Sequence, residues 1–161
     1  MPRVFGTETS SCGCGPRGLS MAAVASLLVT TSAWSEDHVI RTRRTEWIPT
    51  VLFIQPGDTV IWQEMRGHET ALVDGMGPPG AQSWDSMLDA EGFRITLTEA
   101  GAYIYTCDIH INGGMVGAIV VGDGVPSNLD AIDAALPRVE VGRVFVERII
   151  ARMKREIARR N

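Results

Sequence analysis

The chain is poor in lysine and in cysteine, and it has no long apolar run. Lysine occurs once, as Lys154, although arginine is common. Cysteine occurs three times in 161 residues, too rarely for a small fold that depends on several disulfides. No stretch reaches the roughly 20 consecutive apolar residues of a membrane-spanning helix. The sequence therefore predicts neither a disulfide scaffold nor an integral membrane segment in the mature chain.

The longest apolar run lies near the N-terminus and is typical of an export signal. Arg17 precedes residues 19–29, which are apolar or small, and Thr31-Ser32-Ala33 supplies small residues where a signal peptidase would cleave. We therefore expect residues 1–33 to be a secretory signal peptide, cleaved after Ala33 or close to it, and the protein to be periplasmic. A buried N-terminal helix is the alternative structural interpretation.

Removal of that segment would leave a single cysteine. Cys12 and Cys14 both precede the apolar run, so Cys107 alone would remain in the mature chain. One cysteine cannot form an internal disulfide, and a free thiol in an oxidising compartment needs a function. Metal binding would provide that function.

Charge is unevenly distributed along the chain. Residues 36–123 carry 13 acidic side chains against five arginines, a net charge of −8, whereas residues 124–161 carry eight basic and five acidic side chains, a net charge of +3. A negative domain would repel the phosphate backbone of a nucleic acid. The charge distribution therefore argues against a nucleic-acid partner.

Residues 38–121 show the short, regularly spaced strands of a β-sandwich. Alternating or β-branched runs are separated by turn residues such as Pro56-Gly57-Asp58, and residues 74–81 and 84–91 have loop composition. The clearest of the expected strands are 38–42, 47–54, 59–63, 93–97, 103–105 and 116–121. Seven or eight strands at this spacing predict an all-β Greek-key sandwich over residues 34–123.

The pattern becomes helical after Gly124, which predicts a C-terminal extension of two helices over residues 124–161. Ser127 and Asp130 form a capping box for a first helix at 128–136. A second helix is expected at 139–160 because apolar residues recur there at every fourth position: Phe145, Ile149, Met153 and Ile157. This stripe could dock on a membrane surface or a partner, but packing on the sandwich is the simpler interpretation.

Residues 103–122 combine two strands with a loop that carries three potential metal ligands. Cys107, His110 and Met115 follow the spacing C-x2-H-x4-M. A thiolate and an imidazole on one tight loop can bind one metal, a thioether can approach it axially, and soft sulfur ligands select copper over hard cations. His68, in the loop after the third strand, is the candidate for the further strong ligand. The sequence therefore predicts one copper ion, Cu(I) or Cu(II), per chain.

Each of these residues has a more ordinary interpretation. A lone cysteine is usually a small buried hydrophobe, a lone methionine fills a core, and a histidine after glycine in a polar loop is usually solvated. A cysteine beside a histidine can also be a catalytic nucleophile. A nucleophile has no use for Met115, however, and no third orienting residue is evident. The joint spacing therefore favours the metal site.

Several short motifs in this chain resemble the cupredoxins and, within them, the pseudoazurins. The resemblance runs from about Ile48 to Gly122. Plastocyanins share the C-x2-H-x4-M spacing, so the segment 74–81 and the helical tail are what favour the pseudoazurins. The motifs are Pro-Gly-Asp-Thr-Val (56–60), Gly-His (67–68), Asp-Gly-Met (74–76), Pro-Pro-Gly-Ala (78–81), Ala-Gly-Ala-Tyr (100–103), Tyr-Thr-Cys (105–107) and Gly-Met-Val-Gly (114–117).

This resemblance implies a type 1 blue copper protein that transfers single electrons and is not an enzyme. It implies a near-trigonal set of Cys107, His68 and His110 around copper, with Met115 as a long axial contact. It also implies transient docking at the His110 surface by redox proteins such as c-type cytochromes or a copper-containing reductase or dehydrogenase. The expected apolar ring around His110 consists of Met76, Pro78, Pro79, Ile109 and Ile111.

Two departures from the pseudoazurin pattern leave alternatives open. The lysines that guide acidic partners are missing, so a basic partner such as a cytochrome is expected instead. Glu69 stands where the family usually has an asparagine that ties the two ligand loops together. If the Glu69 carboxylate reached the metal, the protein could be a red-copper type of enzyme. A copper carrier or storage protein with an exchangeable site is the other alternative.

Overall fold

The computed structural model describes residues 35–161, together with Pro2 and Gly6. The expected signal peptide, residues 1–33, and its cleavage site therefore lie outside the described residues. Within the described part, eight strands precede two α-helices. The strands are β1 Asp37–Arg43, β2 Glu46–Ile48, β3 Val51–Ile54, β4 Asp58–Gln63, β5 Ala71–Leu72, β6 Arg94–Leu97, β7 Gly101–Thr106 and β8 Val116–Val121.

The eight strands form two four-stranded sheets that pack as a sandwich. One sheet has the order β2-β1-β4-β6 and the other the order β3-β8-β7-β5. Both sheets are mixed, because β1 runs parallel to β4 and β3 runs parallel to β8, while the other pairs are antiparallel. The predicted β-sandwich with a C-terminal helical extension is confirmed.

The strand predicted at 47–54 is wrong, because the structure divides it between the two sheets. Its first part, β2, pairs with β1, whereas its second part, β3, pairs with β8 in the other sheet. Pro49 lies between them and has no N–H to donate to a ladder, so the strand cannot continue through it. The chain crosses from one sheet to the other at that residue.

The core has two parts, one on each side of the second sheet. The part between the sheets is rich in aromatic side chains, among them Trp47, Trp62, Trp84, Tyr103 and Tyr105. The other part lies between the outer face of the second sheet and the C-terminal helices. The second sheet is therefore buried on both faces, which agrees with the complete burial of every residue in β7 and β8.

The first C-terminal helix, α1, spans Leu129–Ala135 and is not capped as the sequence suggested. Its N-cap is Asn128, and no side chain bonds to the free N–H groups of its first turn, so the predicted capping box is wrong. The Asn128 side chain instead accepts the N–H of Ala102 and donates to the carbonyl oxygen of Ala102, each at 2.8 Å. Asn128 therefore fixes the start of the extension to β7.

The second helix, α2, spans Arg143–Arg160 and begins four residues later than predicted. Its apolar stripe packs on the sandwich, chiefly on β8, so the simpler of the two interpretations of the stripe is confirmed. The buried residues of α2 are Val146, Ile149, Ile150, Met153 and Ile157, while Phe145 is half-buried. Within the described residues, no helix has the length and apolar character needed to cross a bilayer.

Candidate metal centre

The loop between β7 and β8, residues 107–115, supplies three of the four predicted ligands, and we call it the copper loop. Cys107 follows directly after β7, and a short 3₁₀-helix over Asp108–Gly113 then presents His110. The His110 N–H donates to the Cys107 carbonyl oxygen, which sets the two side chains on one side of the turn. Gly114 closes the loop with a φ of +84°, a left-handed conformation that favours glycine.

Two backbone hydrogen bonds hold Met115 at the base of the copper loop. The Cys107 N–H donates to the Met115 carbonyl oxygen at 3.0 Å, and the Met115 N–H donates to the His110 carbonyl oxygen at 3.3 Å. Met115 and Cys107 are both completely buried. The loop therefore brings Met115 beside His110 and Cys107, which precede it by five and eight residues.

His68 comes from the loop after β4, which acidic residues hold in position. The Glu91 carboxylate accepts the N–H groups of Glu64 and Met65, and the Asp89 carboxylate accepts the N–H of Gly67. The Asp89 N–H donates to the His68 carbonyl oxygen at 2.9 Å. The sequence analysis missed these positioning residues, since a carboxylate in a polar loop gives no indication of which N–H it accepts.

The structure brings three of the four predicted ligands together. Donor atoms of His68, Cys107 and His110 all lie within 4.8 Å of one another. The Cys107 Sγ lies 3.9 Å from Nδ1 of His68 and 3.4 Å from Nδ1 of His110. For a first-row metal such as zinc, bonds of about 2.3 Å to sulfur and about 2.0 Å to nitrogen at trigonal angles need a sulfur–nitrogen separation of about 3.7 Å. The donor set therefore fits one metal ion.

The protonation of the site also favours metal binding. Burial lowers the pKa of the His68 imidazole, and the neighbouring His110 lowers it further, so His68 favours its neutral, ligating form. Burial raises the pKa of the Cys107 thiol, while hydrogen bonds from the backbone N–H groups of Glu69 and His110 act in the opposite direction. These N–H groups would stabilise a metal-bound thiolate.

Glu69 takes part in the site through its backbone. It does not belong to the group of donor atoms formed by His68, Cys107 and His110. Its negative charge nevertheless raises the pKa of the Cys107 thiol, as does that of Asp108. The structure therefore gives no support to the alternative in which Glu69 binds the metal.

The surface at this end differs from the expected apolar ring. Met76 is completely buried in the core beneath α1, and Pro78 packs on Gly101 at the opposite end of β7. Ile111 is also buried, so the predicted ring is wrong for Met76, Pro78 and Ile111, whereas Ile109 is exposed as predicted. The order of residues along the chain does not show that the segment 74–81 leads away from the metal. The exposed large apolar side chains at this end are Ile109, Met87 and Leu88.

Comparison with known proteins bears on what this site holds. The model of the family described as "Copper binding proteins, plastocyanin/azurin family" matches residues 38–122 of the chain. This chain belongs to that family. The chain is therefore a copper-binding protein of the blue copper type, and the chemistry of this family is the transfer of single electrons. The predicted cupredoxin membership and the predicted copper cofactor are both confirmed.

Individual relatives agree with this membership. The pseudoazurin of Paracoccus pantotrophus is 29% identical over 124 residues, which cover 73% of this chain and 84% of that protein. The chloroplastic plastocyanin of Chlamydomonas reinhardtii is 34% identical over 110 residues, covering 62% of this chain and 76% of the relative. A solved Sinorhizobium pseudoazurin is 32% identical with a TM-score of 0.62, covering 72% of this chain and 94% of that one. The likeness to pseudoazurins is therefore present in sequence and structure.

Proposed function

We propose that this protein is a periplasmic electron shuttle that holds one copper ion between His68, Cys107 and His110, with Met115 as an axial ligand. The observation that carries this proposal is the convergence of a thiol and two imidazoles within 4.8 Å in a chain of the copper-binding family. Copper supplies the one-electron couple between Cu(I) and Cu(II). The protein supplies the ligands and holds them in position.

The chain contributes a ligand set whose two loops are held in place by hydrogen bonds of the protein itself. The copper loop is closed by its own backbone hydrogen bonds, and the loop of His68 is held by Asp89 and Glu91. Ligands that cannot rearrange keep nearly one geometry in both oxidation states, so little has to move when an electron is transferred. With His68, Cys107, His110 and Met115 as its ligands, the metal would have no open position for a substrate, which supports a shuttle over an enzyme.

His110 is the ligand through which we expect electrons to pass. His110 is half-buried, whereas His68 is only 8% exposed and the two sulfur ligands are fully buried. The neighbouring Ile109 is 56% exposed and offers an apolar contact beside the His110 ring. A small apolar interface of this kind suits brief encounters between redox proteins.

The partner class follows from charge and from this surface. Residues 36–123, in the copper-binding domain, carry a net charge of −8. This charge favours a redox partner with a basic face, such as a c-type cytochrome. A copper-containing reductase or dehydrogenase is the other partner class that the pseudoazurin likeness supports. Rates of electron transfer that fall with added salt for a basic cytochrome would support the electrostatic part of this proposal.

We further propose the maturation of the chain. Residues 1–33 would be removed as a signal peptide, residues 34–123 would form the copper domain, and residues 124–161 would form its helical extension. N-terminal sequencing of the protein recovered from a periplasmic extract tests this directly. A mature N-terminus at or near Trp34 is the expected result, and an intact Met1 in the cytoplasmic fraction would contradict it.

A copper carrier is the alternative with a distinct structural expectation. Carriers hold metal at exposed, exchangeable sites, whereas here Cys107 and Met115 are completely buried. Slow loss of copper to a mild chelator is therefore expected, and rapid loss would favour the carrier.

The deciding experiment is a titration of the mature protein with Cu(II), followed by visible absorption and electron paramagnetic resonance. We expect an intense thiolate-to-copper band at one equivalent that disappears in Cys107→Ser. The matched control is Ser86→Ala, which changes a buried hydroxyl outside the ligand set and should keep the band. A folded wild-type protein without the band would overturn the proposed function.

A further inference from the structure

A series of aromatic side chains leads from one proposed copper ligand into the core. The ring of Trp47 lies 6.4 Å from that of His68 and 5.4 Å from that of Tyr105, between ring centroids. Tyr105 lies 5.6 Å from Trp62, and Trp62 lies 5.8 Å from Trp84. We call Trp47, Tyr105, Trp62 and Trp84 the aromatic chain. Successive rings are in contact, so the aromatic chain connects His68 to Trp84 without a gap.

The aromatic chain ends at Trp84, a buried ring that forms part of the wall of a surface cleft. Trp84 lines a surface cleft of about 280 Å³ together with Phe93 and Arg94, beside strand β6. The Trp84 indole N–H donates to Thr70 Oγ1 at 3.2 Å, which fixes the ring at the inner wall of this cleft. The chain of rings therefore connects the metal centre to a part of the surface that the docking face at His110 does not include.

Three polar atoms along this chain have no hydrogen-bond partner. They are Trp47 Nε1, Trp62 Nε1 and the Tyr105 hydroxyl, all buried. The Trp62 N–H faces the Tyr105 hydroxyl without reaching hydrogen-bond geometry. An unpaired buried donor costs about 1–3 kcal/mol, and such groups are rare enough to need a reason. Phenylalanine at positions 47 and 62 would pack without that cost, so the indole rings themselves call for an explanation.

Indole differs from phenyl in how readily it gives up one electron. Neither the Trp47 N–H nor the Trp62 N–H is hydrogen-bonded to a base that could take its proton, so an oxidised Trp47 or Trp62 would remain a cation radical. That form regains an electron readily because no proton has to return with it. The Tyr105 hydroxyl has no acceptor for the proton that oxidation of a phenol releases. Tyr105 therefore bridges the two indoles without being oxidised itself.

We propose that Trp47, Trp62 and Trp84 form a second electron path, through which the copper centre repairs oxidative damage before it becomes permanent. This proposal rests on the proposed function, since it needs Cu(I) beside His68. The oxidant is a strong one-electron oxidant such as carbonate radical anion, which takes one electron from Trp84 and becomes carbonate. Trp62 would then return an electron to Trp84, and Trp47 would return one to Trp62. Trp47 would regain its electron from the reduced metal held beside it by His68.

The electron balance of this sequence is simple. One oxidant is reduced by one electron, one Cu(I) becomes Cu(II), and the three tryptophans end as they began. No protein bond forms or breaks, and no proton leaves the indoles. The donor that normally reloads the shuttle then restores Cu(I). The cleft at Trp84 is where the oxidant is intercepted, and His110 remains the port for redox partners.

Pulse radiolysis with azide radical, a selective oxidant of tryptophan, tests the path on the mature Cu(I) protein. We expect the tryptophan radical to decay at a rate independent of protein concentration while the Cu(II) absorption rises at the same rate. Trp47 is the ring beside His68, so Trp47→Phe should slow this phase at least tenfold. Trp62→Phe should slow it less, because Tyr105 also lies 6.3 Å from Trp84. Tyr105→Phe is the matched control, because it keeps the bridging ring, and should change the rate less than twofold.

The Zn(II) form provides a readout that does not depend on copper absorption. Zinc cannot donate an electron, so after exposure to carbonate radical anion, mass spectrometry should find several-fold more oxidised Trp84 in the Zn(II) protein than in the Cu(I) protein. Equal oxidation in the two forms would overturn the proposal. Unchanged rates in both indole variants, with the blue band of the Cu(II) form intact, would also overturn it. Absence of the blue band in wild type would instead overturn the proposed function.

Discussion

Gly142, the residue before α2, lies against Ile111 of the copper loop. A Cβ placed on Gly142 would be 2.5 Å from Cγ1 of Ile111 and 3.2 Å from its carbonyl oxygen. One turn further along α2, the ring of Phe145 lies 3.0 Å from the position of a Cβ on Gly114. The start of α2 therefore packs against the loop between His110 and Met115, so the helical extension supports the metal centre as well as the second sheet.

This contact predicts that Gly142→Ala destabilises the protein. Gly142 has a φ of +66°, so alanine would pay the cost of a left-handed conformation and would also displace Ile111. We expect a loss of about 2–4 kcal/mol in the free energy of unfolding. We also expect a shifted visible spectrum of the copper form, because Ile111 lies between two ligands. Urea denaturation and absorption spectroscopy measure the two effects.

Gly124→Ala is the matched control for that variant. Gly124 has a φ of +79° and no atom within 4 Å of an added Cβ. Alanine there should cost only the conformational part, about 1–2 kcal/mol, and leave the spectrum unchanged. Equal losses for the two variants would show that the contact with Ile111 contributes nothing.

Glu69→Gln is expected to raise the reduction potential. The negative charge of Glu69 opposes formation of the Cys107 thiolate, and by the same electrostatics it favours Cu(II) over Cu(I). Removal of that charge should raise the potential by on the order of tens of millivolts, as voltammetry would record. Glu99→Gln, just before the start of β7 and so at the opposite end from Cys107, should leave the potential unchanged. A fall in Glu69→Gln would contradict this account.

The sequence predicted the sandwich and the ligands because both depend on local patterns. Strands of alternating or β-branched residues are recognisable in isolation, and the spacing of Cys107, His110 and Met115 lies within a single loop. His68 was predictable only because the loop ligands required another one. The structure brings His68, Cys107 and His110 together as expected, while the axial role of Met115 stays a prediction.

What the sequence could not predict depends on contacts between distant segments. Pro49 divides one apolar run between two sheets, and nothing local indicates that its two parts pair with different strands. Asn128 stands where a helix cap is expected, but its side chain binds Ala102 of β7. Met76 was expected in the apolar ring around His110, yet the fold buries it beneath α1.

Asp58 predicts a specific loss of stability in acid. Its carboxylate accepts the N–H groups of Glu36 and Gln55 and binds Nε2 of His38 at 2.8 Å. Burial alone would raise the pKa of Asp58, but these hydrogen bonds outweigh it and hold the pKa below its ordinary value of 3.8. A lowered folded-state pKa means that the stabilisation is present above the unfolded value and is lost as the pH falls through the folded one.

We therefore expect the free energy of unfolding of the wild type to fall more steeply than that of Asp58→Asn as the pH is lowered below about 4. Urea denaturation at a series of pH values measures both slopes. Asp130→Asn, which changes an exposed carboxylate of α1, should keep the wild-type slope. Parallel curves for wild type and Asp58→Asn would remove Asp58 as a cause of acid sensitivity.

Gly117→Ala should be among the most damaging small substitutions in the chain. Tyr105 and Gly117 are cross-strand neighbours in β7 and β8, and a Cβ on Gly117 would lie 2.3 Å from Cζ of the Tyr105 ring. Tyr105 is completely buried and packs against Trp47 and Trp62, so its ring has no free space into which to move. We expect a loss of about 3 kcal/mol or more, measured by urea denaturation.

Two further variants separate this clash from a general intolerance of alanine. Gly113→Ala adds a methyl group at an ordinary 3.5 Å from Thr45 and should cost less than about 1 kcal/mol. Tyr105→Leu removes the ring that clashes, so in the double variant Gly117→Ala should cost at least 1 kcal/mol less than in wild type, roughly the coupling expected of residues in contact. Additive losses would mean that the Tyr105 ring can move aside. The Tyr105 ring would then not be held rigidly by Trp47 and Trp62.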